Sequence, residues 1–269
     1  MVIMKKVERM NDSGNAVDVI VRTKNSAETL ENCLSAARYN LNVNRLILID
    51  SHSTDGTVEI ASKFEAEIYC EDRGLGYATW LGIQKAETEN IVFLDSDVVS
   101  IDPSFMHRAL NLLHMGGTGA VVGQAVGHVF QYGLPLSLAL IPLDLARGVQ
   151  FNMGVMGRET YFIQKHLRRM GRKVRYVDNA IVHSSIHRGN IHWPEWQGAW
   201  VRNTSGLNLR EVLYSFLVVF LMLTNSRNLK NFFYIPIFQA KILRGFIHPC
   251  QWQGSVNSSK DPCKNTGGH

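Results

Sequence analysis

Cysteine is scarce in this chain of 269 residues: Cys33, Cys70, Cys250 and Cys263 are the only four, none in a C-x-x-C pair and none with histidine at zinc-finger spacing. That pattern argues against a disulfide framework or a thiolate zinc site and for inert thiols in a reducing, cytoplasmic compartment. Long apolar runs are also missing. A membrane-spanning helix needs about 18–20 apolar residues, whereas Val212–Thr224 covers only about 13 and contains Tyr214 and Ser215. Residues Met1–Asn11 carry Lys5, Lys6 and Arg9 without an apolar stretch, unlike a secretory signal. Two phosphate-binding loops are absent. Gly74-Leu-Gly76 has no third glycine three residues later, and no G-x-x-x-x-G-K-[ST] occurs. Ala109–Leu143 has no Asp, Glu, Lys or Arg but six glycines, which reads as strand and loop rather than as a membrane helix.

Apolar residues make up 45% of the chain and charged residues 19%, so it is neither disordered nor a coiled coil. The length suits one large domain or two small ones. Its net charge of +5 is unevenly spread. Residues 1–146 hold 11 Lys and Arg against 18 Asp and Glu, and the remainder 17 against 5, giving −7 and +12. An acidic first half and a basic second half suggest two different jobs and exclude a uniformly basic nucleic-acid coat.

Short β-branched runs alternate with helical patterns. Strands are expected at 17–21, 45–49, 66–69, 90–94 and 120–122, and helices at 27–39, 58–64, 75–86 and 103–115. This βαβ succession implies an α/β fold with a parallel sheet covered on both faces. Ligands of such sheets bind at the carboxyl ends of the strands. Here those ends carry Asn25, Asp50, Arg73, and Asp95 with Asp97. Two carboxylates two residues apart, leaving a buried strand, suit a hard divalent cation such as Mg²⁺ or Mn²⁺ shared with substrate phosphates.

At this point the chain resembles a family 2 glycosyltransferase of the GT-A fold. Four stretches carry the resemblance, in the family's order and across residues 17–100: Val19-Ile-Val-Arg-Thr-Lys-Asn25, Leu48-Ile-Asp-Ser-His-Ser-Thr-Asp-Gly-Thr57, Arg73-Gly-Leu-Gly-Tyr-Ala78 and Phe93-Leu-Asp-Ser-Asp97. The resemblance implies a nucleotide-diphosphate sugar donor. Thr23 and Asn25 would belong to its site, Asp50 would accept from the base edge, Arg73 would contact the nucleotide, and Asp95 would lie by the ribose. Asp97 would be a metal ligand. Asp55 falls in the second stretch, where capping the following helix is an equal expectation.

Farther on, Glu159 to Gly171 followed by Ala180-Ile-Val-His183 resembles the family's second pattern, with Thr160 where an Asp would stand. The resemblance makes Glu159 the candidate base that deprotonates the acceptor for inverting transfer, and His183 a metal ligand. Arg188 would suit the diphosphate as a fork donor. Gln197-Gly-Ala-Trp200 lacks the Arg of processive members, so no polymerising synthase is expected. Basic residues 168–175, Trp193, Trp196 and Trp200, and short apolar helices suit peripheral contact with an anionic leaflet and a glycan or lipid-linked acceptor; no nucleic-acid motif is present.

The expected organisation is an extension over 1–16, a GT-A domain over 17–205 (donor binding to 100, acceptor side beyond), an apolar helical region over 206–249 and a disordered tail over 250–269. Two other readings compete. A sugar nucleotidyltransferase would want a Gly-rich, Arg-containing loop after the first strand, which Arg22-Thr-Lys-Asn25 is not. A non-catalytic nucleotide-binding or membrane scaffold protein draws support only from Thr160.

Overall fold

In the computed structural model of the chain, residues 15–128, 131, 133–152, 158–184, 193–225 and 233–249 are described. The N-terminal extension up to residue 14, Arg188 and the tail from residue 250 lie outside them.

The first half folds as its pattern predicts. Strands β1 (Val17–Thr23), β2 (Val43–Asp50), β3 (Glu67–Cys70) and β4 (Asn90–Asp95) align in parallel in the order β3-β2-β1-β4. Helices α1 (Ala27–Asn40), α2 (Thr57–Lys63) and α3 (Leu75–Lys85) connect them. Successive side chains of a strand face opposite ways, so β1 supplies two cores. Val19 and Val21 pack with Leu30, Leu34 and Phe105; Ile20 packs with Ile47, Ile83 and Phe93. Helix α3 lies so close to β1 that a Cβ on Gly82 would collide with Ile20 Cγ2. At the amino end of the sheet the buried Asp18 carboxylate accepts from Arg45 Nη2 (2.6 Å), Asn44 Nδ2 (2.9 Å) and the Glu87 amide (2.7 Å).

The second half departs from a simple parallel succession. Its elements are β5 (Val98–Ser100), α4 (Phe105–His114), β6 (Thr118–Ala125), β7 (Leu138–Pro142), α5 (Leu143–Arg147), α6 (Glu159–Arg169) and β8 (Lys173–His183). The fifth expected strand, β6, does not join β4. Strand β7, from the end of the uncharged stretch, inserts between them antiparallel to both. The sheet is therefore mostly parallel, in the order β3-β2-β1-β4-β7-β6-β8-β5. The Ala180-Ile-Val-His183 stretch is the end of one long strand, β8. At its middle Asn179 adopts φ +55° and the pairing with β6 slips between Gly123 and Ala125, as at a β-bulge.

This order forces the sheet to curl. Four inter-strand steps of about 4.8 Å would separate β4 from β5 in a flat sheet, some 19 Å in all. Yet Asp95 ends β4 and Val98 begins β5, a reach of at most about 11 Å. Strand β5, paired with β8, must bend back toward the end of β4. The turn at Ser96 marks that closure, and His183 pairs with Val98 beside it.

Three further helices follow: α7 (Trp193–Ser205), α8 (Leu209–Asn225) and α9 (Tyr234–Ile247). Val201, Val212, Val219 and Ile242 form their own small core, with Phe216, Phe238 and Phe246 packed against it. Helices α7 and α9 cross with backbones nearly touching: a Cβ on Gly198 would collide with the Ile242 carbonyl, and one on Gly245 with the Glu195 carbonyl. Among the described residues no helix is long and apolar enough to cross a membrane.

Candidate active site

The fold places four residues that the sequence singles out at strand ends, a turn and a helix start. Asp95 ends β4, Asp97 lies in the turn before β5, Glu159 opens α6 and His183 ends β8. Arg22 of β1 reaches two of them. Its Nη2 donates to Asp95 Oδ1 at 2.7 Å, and its Nη1 donates to Glu159 Oε1 at 2.7 Å and to Thr79 Oγ1 at 3.2 Å. The guanidinium and Glu159 side chains are 7% and 10% exposed, against 38% for Asp95, so both ion pairs are shielded but open on one side. Burial alone would pull the Arg22 pKa down; the Asp95 and Glu159 carboxylates outweigh it and hold the group above the ordinary arginine value.

Asp97 and His183 form the second pair. Asp97 Oδ2 lies 3.6 Å from His183 Nδ1, and the Asp97 carbonyl accepts from the Ser184 amide at 2.8 Å. The Asp97 carboxylate, foremost, holds the His183 imidazole above its usual pKa. The Asp97 carboxylate is the oxygen donor that Mg²⁺ and Mn²⁺ take, and the His183 imidazole would join it only in its neutral form. Among the described residues no group of three or more His, Cys, Asp or Glu forms a complete metal cage. The pair fits an ion that draws its remaining ligands from a bound diphosphate and water.

The other expected residues form an adjoining cluster at the ends of β1 and β2, across β1 from Asp95. Thr23 Oγ1 donates to Asp50 Oδ1 (2.9 Å), and the Ser53 amide to Asp50 Oδ2 (2.8 Å). Asp50 is only 1% exposed, so its carboxylate sets the shape of the loop after β2. Asn25, in the left-handed region at φ +50°, donates from its amide to Ser53 Oγ (2.8 Å) and accepts from the Thr54 amide (2.9 Å). Asp55 accepts from the Ala27 and Thr57 amides at 3.0 and 3.1 Å, one at the start of each of two helices. The Thr57 hydroxyl is the largest of the influences that lower its pKa. This arrangement is the capping role. Ser26 and Ser96 hydroxyls, 2.9 Å apart, join this cluster to the Asp95–Asp97 turn. Arg73 is exposed and lies over the Tyr77 ring, 4.4 Å from its centroid. Its loop is held by the buried Glu71, which accepts from the Arg73 and Gly74 amides at 2.7 Å each.

A cavity of about 1110 Å³ opens beside the Arg22 cluster. Lys24, Asp95, Glu159, Thr160 and His183 line one part; Trp200, Tyr214, Val218, Val219 and Ile242, from the three C-terminal helices, line another. Arg158, also on its wall and just before α6, ties α7 and α8 to it through Thr204 Oγ1 and Glu211 Oε2, both at 2.7 Å. Sequence reasoning gave Arg22, Glu71 and Arg158 no role. For Arg22 a signal existed: an arginine within a buried apolar strand must find carboxylate partners.

Residues 18–134 match the model of Glycosyl transferase family 2. Uncharacterized glycosyltransferases of Mycobacterium tuberculosis and Mycobacterium bovis are 33% identical over 88 residues, which is 32% of this chain. The match spans 38% of those relatives' length. A mannosyltransferase from Pyrobaculum calidifontis, solved with GDP-mannose and Mn²⁺, superposes with a TM-score of 0.63 at 17% identity, covering 87% of this chain and 86% of its own. A glucosyl-3-phosphoglycerate synthase from M. tuberculosis, solved with Mn²⁺, UDP and phosphoglyceric acid, gives 0.52 at 20% identity, covering 64% and 72%. The structural likenesses establish a fold of the GT-A type, and the similarity to glycosyl transferase family 2 extends over residues 18–134.

Proposed function

We propose that the chain is a glycosyltransferase that moves a sugar from a nucleotide-diphosphate donor to an acceptor hydroxyl, with inversion and without processive elongation. One observation carries this reading. Asp95, Glu159 and His183 line one wall of a 1110 Å³ cavity; Arg22 bridges the first two, and Asp97 lies 3.6 Å from the third. Thr23, Asn25 and Arg73, with the buried Asp50 shaping their loops, are the groups we assign to the nucleotide, with Arg188 as a further diphosphate contact. Asp97 and His183 would hold Mg²⁺ or Mn²⁺. Such an ion supplies Lewis-acid stabilisation of charge on the departing diphosphate.

The chain's own groups divide the remaining work. Asp95, at the donor end, accepts from the ribose. Glu159 has Oε1 committed to Arg22; Oε2 accepts the acceptor's proton as the glycosidic bond forms on the opposite face of the sugar. Thr160 lines the same cavity but offers no carboxylate, which leaves that task to Glu159. Trp200, Tyr214, Val218, Val219 and Ile242 give the acceptor side an apolar wall and support an acceptor with an apolar portion, such as a lipid-linked phosphate or saccharide. The exposed Leu213, Leu217 and Phe220 of α8 and Ile237 and Ile247 of α9 support peripheral contact with a membrane.

The test is Mn²⁺-dependent thermal stabilisation by UDP- and GDP-sugars, followed by donor hydrolysis and transfer. Asp97→Ala should abolish the metal dependence, and Glu159→Gln should lower turnover by about 10²-fold or more while retaining donor binding. Near-normal turnover in Glu159→Gln would remove the base assignment. Donor binding with neither hydrolysis nor transfer would point instead to a nucleotide-binding scaffold.

A further inference from the structure

Arg22 does more than neutralise a buried carboxylate. It reaches two, Asp95 and Glu159, which lie 73 and 137 residues away along the chain. Each takes a different terminal nitrogen, and Thr79 Oγ1 shares Nη1 while itself donating to the Leu75 carbonyl at 2.8 Å. A guanidinium is a planar, rigid fork, so two bonds to its two terminal nitrogens fix the direction between their acceptors as well as their distances. Three of its five N–H groups are used in this way, and Nε is buried without a partner. On the glycosyltransferase reading, Asp95 serves the donor and Glu159 the acceptor, although both line the same part of the cavity. Lysine, with a single ammonium on a flexible stem, offers no such fixed fork.

We propose that Arg22 is a positioning residue that locks Asp95 and Glu159 into one rigid unit, acting on donor binding through the first and on the chemical step through the second. The proposal rests on the glycosyltransferase reading above. It predicts a split that a merely stabilising ion pair would not show. Two quantities respond to Arg22, each through a different partner.

The experiment is a pair of double-mutant cycles on the full chain. Arg22→Met, Asp95→Asn and Glu159→Gln are made singly, and Arg22→Met is combined with each of the others. Calorimetry with UDP and GDP in Mn²⁺ gives the dissociation constant. Hydrolysis of UDP-glucose and GDP-mannose gives kcat. Arg22→Met alone should weaken nucleotide binding about tenfold and lower kcat about 10²-fold, the scale of an ångström-sized misplacement of a catalytic group. In the Asp95→Asn background the binding loss should vanish. In the Glu159→Gln background the kcat loss should shrink to about threefold or less. Arg22→Lys should recover one quantity and not both.

Losses that multiply in both backgrounds, or an Arg22→Met protein with both quantities within about twofold of wild type, would overturn the proposal. If Arg22→Met alone does not fold, the Arg22→Met/Glu159→Gln protein removes both ends of the more buried pair, and its kcat against Glu159→Gln alone decides the same question. Wild-type protein that binds and hydrolyses no nucleotide-diphosphate sugar would overturn the glycosyltransferase reading itself, a result separate from the behaviour of either cycle.

Discussion

Asp18 shows how much a single side chain can hold at the end of the sheet away from the site. Its carboxylate is fully buried and ties β1 to Asn44 and Arg45 of β2 and to the loop that enters β4. Burial pushes its pKa up, but the Arg45 guanidinium, the Glu87 amide and Asn44 together bring it below the ordinary 3.8. A carboxyl depressed in the folded state stabilises the fold at pH values above its unfolded pKa, and that contribution fades as pH falls through the lower folded value. Urea unfolding should therefore show stability falling below about pH 4, and Asp18→Asn should flatten that part of the curve. Asp18→Ala at neutral pH leaves Arg45 without its main partner and should cost about 3–5 kcal/mol, with a Tm drop on the order of 10 °C for a chain of this size. Nucleotide binding in Mn²⁺ should survive, because the carboxyl ends of the strands are untouched.

Among the elements, the first half of the fold was legible because its signals are local. A short apolar run, a polar turn and a helix repeat three times, and the second and fourth runs end in Asp50 and Asp95. Asp50, Asp95 and Asp97 could be placed at strand ends from that rhythm alone. Strand β7 escaped because neither charge nor alternation marks it; a run such as Leu138-Ala-Leu-Ile reads equally as strand or buried helix, and its antiparallel direction follows from what it pairs with. The Arg22 bridge and the Asp97–His183 pair depend on the curl, which no spacing reveals. The α7–α9 crossing was equally hidden, since Gly198 and Gly245 are 47 positions apart and neither sits in a motif. Gly245→Ala should force the two helices apart at a cost of about 1–3 kcal/mol. Limited proteolysis should then cut residues 206–249 faster while the sheet keeps its melting transition. An unchanged digestion pattern would mean that the crossing tolerates a methyl group.

At the scale of the whole molecule, the charge division of −7 and +12 meets a division of surface. Helix α8 exposes Leu209, Leu213, Leu217 and Phe220 along one stripe, and Phe233, Tyr234, Ile237 and Ile247 are exposed on or beside α9. Exposed apolar side chains near basic residues suit an anionic bilayer surface. The chain should sediment with phosphatidylglycerol vesicles more than with phosphatidylcholine vesicles, and less at high salt. The pair Leu213→Glu and Leu217→Glu should abolish this without shifting the Tm. Equal sedimentation of the variant would remove α8 from any such contact.

The placement of β7 also bears on the order in which the chain folds. Strands β1, β2 and β3 pair across connections of a few tens of residues, whereas β5 waits some 80 residues for β8, and β4 meets β6 only through β7. Closing longer loops costs more entropy before any contact repays it. The loops that frame Asp50 can therefore form while the chain beyond residue 100 is still unpaired, and the Arg22 guanidinium must wait for Glu159. The Arg22 bridge should therefore form after the loops around Asp50, once α6 has brought Glu159 to β1.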